Sequence, residues 1–139
     1  MKGRFLCYRW AIVEILLFHT FACGSPSMTP QRLPRVLLAI SVTPVTADAQ
    51  NYSNGQVQFV ASGTFSQSPS PGPLTFTPPY TGGFTISDSS IANIVSTGTA
   101  SVTVECDVGA SGSVNIVATA SSNGGPVTNV VGKAQLTCP

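Results

Sequence analysis

The sequence predicts an all-β fold, a sandwich of about seven short strands behind a cleavable leader. Three observations carry that expectation. Charged residues make up only 8% of the 139 residues and hydrophobic ones 42%, so the Glu, Lys, Arg and Gln that build helical surfaces are scarce. The β-branched residues are punctuated by 13 Gly and 11 Pro, a mixture suited to short strands and turns. Several runs alternate apolar and polar residues at period two, as a half-buried strand does.

The leader comes first. Lys2, Arg4 and Arg9 precede an apolar run over residues 11–18, and Ala22, Gly24 and Ser25 follow it. This is the three-part layout of a secretory signal, assigned to residues 1–24. The run is shorter than the ~20 residues a bilayer-spanning helix needs, and Glu14 interrupts it. Two processing readings stand. Ala22-Cys23-Gly24 has the small-residue spacing of ordinary signal cleavage. Thr20-Phe21-Ala22-Cys23 resembles the bacterial lipoprotein signal, matching it at Ala22 and departing from it at Thr20 and Phe21. That resemblance implies lipidation of Cys23 and membrane attachment through the lipid. Both readings export the protein, either to the cell envelope or as a secreted chain, and both make residues 25–35 a polar tether. A second stretch, from Met28 to Ala47-Asp48-Ala49, has a similar layout, but Ser41-Val42-Thr43-Pro44 reads as strand.

Strands follow in order. Residues 36–43 are a β-rich run stopped by Pro44. Residues 48–55 carry turn chemistry that ends in Asn54-Gly55. In residues 56–62, Val57, Phe59 and Ala61 point one way and Gln56, Gln58 and Ser62 the other. Residues 66–83, SQSPSPGPLTFTPPYTGG, are Pro-rich. Proline removes ladder donors, so this segment is expected to be a loop or an irregular edge that tolerates partial deletion over residues 68–73. Short strands are expected at 84–87 and 91–95, separated by Asp88-Ser89-Ser90. Residues 100–106 place Val102, Val104 and Cys106 on one face. Residues 113–120 group Val114, Ile116 and Ala118, and residues 130–138 group Ala134, Leu136 and Cys138. The turn spacing of about a dozen residues is that of a β-sandwich.

The segments ISVTP, GQVQFVASGTF, FTISDSSIANIV, SGSVNIVATA and VGKAQLTC resemble bacterial immunoglobulin-like domains of the Big type, group 2, over residues 37–138. Phe84 takes the family's aromatic position and Ile91-Ala92-Asn93-Ile94 its later apolar stretch. The resemblance implies an immunoglobulin-like sandwich over residues 36–139. It also implies a non-catalytic module serving cell-envelope structure, adhesion or protein interaction. The Pro-rich insertion and the body's two cysteines depart from the family pattern.

Of the four cysteines, Cys7 and Cys23 lie in the leader, leaving Cys106 and Cys138 in an exported body. Each falls in the apolar register of its strand. Two buried free thiols would pack as small hydrophobes, whereas export favours a disulfide that would contribute about 3–4 kcal/mol.

No reaction chemistry is legible. The one histidine, His19, lies in the leader, and the body shows no triad, phosphate loop or metal-type cysteine spacing. No cofactor and no metal are expected. Glu105 and Asp107 flank Cys106 and should project outward together. Two carboxylates are too few for a calcium site, so they read as a solvated acidic edge. Phe76 and Tyr80 either fold back to cap the sandwich or form an aromatic platform. The platform makes a carbohydrate-binding module the alternative function. Asn51-Tyr52-Ser53 matches a glycosylation acceptor. After Arg35 the only cation is Lys133, set against Asp48, Asp88, Glu105 and Asp107, which argues against nucleic acid. The expected partner is an unidentified protein or glycan at the cell surface.

Overall fold

The computed structural model describes residues 33–123 and 128–139, within the compact unit Leu33–Pro139. The expectations for Cys7, His19 and Cys23 and for the leader lie outside the described residues.

Among the described residues there are nine strands: β1 (Leu37–Thr43), β2 (Thr46–Asp48), β3 (Gln56–Phe65), β4 (Gly72–Pro73), β5 (Gly82–Ile86), β6 (Ala92–Thr97), β7 (Ser101–Cys106), β8 (Gly112–Ser121) and β9 (Asn129–Cys138). They form two sheets. The first runs β1-β3-β7-β6 with β4 added on β3, and the second runs β2-β9-β8-β5. With the seven longer strands lettered in chain order, this is the ABED and CFG division of an immunoglobulin sandwich. The expected seven strands are therefore these seven, and β2 and β4 are short additions.

Both additions have a local cause. Pro44 has no N–H to continue the ladder of β1. The chain crosses to the other sheet, where the Gln135 N–H donates to the Val45 carbonyl at 2.9 Å and β2 pairs parallel with β9. Sequence patterning missed β2 because three residues are too few to show a period. β4 gives the irregular edge expected within residues 66–83. Gly72 and Pro73 pair with Gly63 and Ser62, continuing along β3 past the point where β7 begins. The next residue, Leu74, is fully buried, and its N–H donates to the Ala61 carbonyl at 3.2 Å. The segment is thus a covering layer that carries a core side chain.

The core follows the predicted alternation. Val57, Phe59 and Ala61 from β3 are buried, as are Val102 and Val104 from β7 and Val114, Ile116 and Ala118 from β8. Ala134, Leu136 and Cys138 supply the face of β9, and Phe84 joins them from β5. Register brings Val57 opposite Val104 and Phe59 opposite Val102. Opposing these two apolar faces is the main driving force for the fold, at about 25 cal/mol per Å² of apolar surface buried.

The sandwich closes along one side where β1 lies against β9. Gly132 makes this approach feasible, since a Cβ there would stand 2.6–2.9 Å from Ile40 atoms, its carbonyl among them. The two outer strands of the first sheet each carry a register shift, between Leu37 and Ala39 in β1 and between Ile94 and Ser96 in β6. Such bulges interrupt the ladder on exposed edges and discourage pairing with another chain.

Candidate functional site

The strands run between two poles. At one, Leu37 pairs with Phe65 and Gly82 with Ala120. At the other, Gln56 pairs with Glu105 and Gly112 with Cys138. The sequence-predicted site residues that lie within the described residues divide between these poles.

The first pole holds Phe76 and Tyr80, both half-buried and packed against the core. Phe76 meets Phe84 edge-on, with centroids 5.1 Å apart. Tyr80 lies 5.2 Å from Phe65, and its hydroxyl donates to the Arg35 carbonyl at 2.7 Å. The Arg35 guanidinium sits 3.5 Å above the Phe65 ring centroid, a cation–π arrangement. It also donates to the carbonyls of Gln67 and Pro69. The Gln67 amide donates in turn to the Leu33 carbonyl at 2.6 Å. Residues 33–35, read from sequence as the end of a polar tether, make these contacts with the body. The Pro-rich segment holds them through the Gln67 and Pro69 carbonyls, which accept from Arg35.

The second pole holds the cysteine pair. Cys106 ends β7 in the first sheet and Cys138 ends β9 in the second. They are bridged with Cα atoms 5.8 Å apart, inside the usual range of about 4.4–6.8 Å. Cys138 is buried, whereas Cys106 is only partly so. The bridge ties one sheet to the other.

Beside the bridge lies a cleft of about 420 Å³. One wall is the 3-10 turn Ala49–Asn51, where Asp48 caps the chain by accepting from the Gln50 N–H at 3.0 Å. The Tyr52 N–H closes that turn onto the Ala49 carbonyl at 3.1 Å, and Ala49 itself is buried. The facing wall is the turn after β7, in which the Ala110 N–H donates to the Asp107 carbonyl at 3.0 Å. Gly109 takes φ +79° there, a conformation that glycine adopts at little cost. Gln50, Tyr52, Cys106, Asp107 and Val108 are among the residues that line the cleft. Tyr52 is 40% exposed and Val108 fully exposed.

The acidic pair flanking Cys106 is engaged by amides. Glu105 accepts from Gln56 Nε2 at 3.0 Å, and one Asp107 oxygen accepts from Asn93 Nδ2. Among the described residues no three His, Cys, Asp or Glu side chains gather into a cluster that could hold a metal ion. Sequence reasoning did not single out Tyr52 or Gln50 as site residues. The stretch Asn51-Tyr52-Ser53 drew notice only as a glycosylation acceptor. Nothing in its pattern signals that it faces the turn after Cys106.

No protein-family model, curated protein or solved structure matches the chain.

Proposed function

We propose that this protein is a non-catalytic, exported immunoglobulin-like module of the bacterial Big type, serving adhesion, protein interaction or envelope structure at the cell surface. The observation that carries the reading is the inter-sheet cysteine bridge. Disulfides persist in oxidising compartments outside the cytoplasm, which agrees with the signal-like residues 1–24 and with lipid attachment at Cys23. The fold adds a rigid body that presents loops at its two ends, an arrangement that sandwich domains use for recognition. The carbohydrate-binding alternative does not rest on Phe76 and Tyr80, because both rings are spent on packing.

Two measurements on the native host test the proposal. Fractionation followed by mass spectrometry of the chain should find it outside the cytoplasm, beginning at or just after Cys23. A deletion strain should lose adhesion or surface integrity, and the intact gene should restore it. A cytoplasmic chain with an unprocessed leader would overturn the reading.

A further inference from the structure

The cleft beside the disulfide carries an aromatic residue, Tyr52, that is 40% exposed. Tyr52 lines the cleft, whereas Phe76 and Tyr80 are half-buried, each packed against a second ring, Phe84 and Phe65 respectively. Around Tyr52 stand an amide, Gln50, and a carboxylate, Asp107. Asn93 donates to one oxygen of that carboxylate. Among the described residues no Lys or Arg lines the cleft, so an anionic ligand would meet a negative group with no counter-charge from them. The volume, about 420 Å³, falls within the range of small-ligand sites, roughly 300–1,000 Å³.

From this geometry we infer that the cleft binds a neutral saccharide, with Tyr52 as the stacking surface and Gln50 and Asp107 as hydroxyl partners. A sugar ring presents an apolar C–H face and a rim of hydroxyls, the two surfaces this cleft offers in adjacent positions. The walls are held before any ligand arrives. One is capped by Asp48 and anchored by buried Ala49, and the other is tied to Cys106 and its bridge. Holding the site in this way lowers the ordering cost of binding. The cleft lies at the opposite pole of the body from Leu33. This inference rests on the binding-module reading above and locates its site.

The test is a titration of the isotope-labelled full chain with maltotriose, cellotriose and chitotriose, followed by amide chemical shifts. At least one should give saturable shifts confined to Gln50, Tyr52 and residues 107–110, with a Kd on the order of 1 mM. Tyr52→Ala should weaken that binding about tenfold or more. Tyr52→Phe keeps the ring and should keep most of the affinity, which also controls for folding. Absence of saturable shifts with all of these sugars, or shifts centred on Phe76 and Tyr80, would overturn the inference. A parallel assay of chain binding to cell surfaces separates the two levels. Retained surface binding without sugar shifts refutes the cleft alone, whereas loss of both refutes the module reading as well.

Discussion

Replacing Cys106 and Cys138 together by alanine should destabilise the sandwich by about 4 kcal/mol at 25 °C. The bridge spans 32 residues of chain. Closing a loop of that length in the unfolded state removes roughly 12 cal/mol/K, or about 3.7 kcal/mol, in the chain-entropy account. Cys138 is buried, so loss of its sulfur also removes packing atoms and adds to the effect. Against a total stability of about 5–15 kcal/mol for a domain, this is a large fraction. Urea unfolding of the wild type and the double variant measures it directly, and reduced wild type should resemble the variant. The urea dependence should steepen when the link is lost, because the unfolded chain then exposes more surface. A loss below about 1 kcal/mol would refute the entropic argument. Alkylation of either cysteine in the unreduced, denatured chain would refute the bridge itself.

Leu74→Ala should cost about 2–5 kcal/mol, the range for truncating a buried leucine, even though the residue lies in the Pro-rich segment. A thermal melt within a degree or two of wild type would show that Leu74 adds nothing to the core. Gly132→Ala should cost about 1–3 kcal/mol by overpacking against Ile40, and unchanged urea stability would show that β1 can shift away at no cost. Ser90 donates to Asp88 through both its hydroxyl and its N–H, which holds the Asp88 carboxyl below its ordinary value of 3.8, the hydroxyl being the larger cause. A depressed acid stabilises the fold above its ordinary range and loses that contribution as pH falls through the lowered value. Ser90→Ala should therefore raise the Asp88 pKa toward 3.8, read by NMR titration, and an unchanged value would show that the backbone N–H alone suffices.

Legibility varied along the chain for physical reasons. Strands β3, β7, β8 and β9 were readable because each alternates over six or more residues with one face buried, and burial imposes period two on the sequence. Cys106 and Cys138 were readable as a pair because both fall in that same alternation. Asp107 and Glu105 were recognised as an outward acidic pair, but their amide partners Gln56 and Asn93 were not. Those partners come from two other strands, and only register aligns them.

By itself the sequence determined the all-β class, the faces that enter the core and the order of the long strands. Those properties are local, set by alternation, by turn residues and by prolines that remove donors. The tertiary structure decided everything that depends on elements distant in the chain meeting in space. It made Leu74 a core residue and bound residues 33–35 to the Pro-rich segment through Arg35. It spent Phe76 and Tyr80 on packing and set Tyr52 across a cleft from Asp107. The physical reason is that a side chain's role depends on what lies opposite it. Sheet pairing and closure determine that neighbour, and a single strand's residues do not encode it.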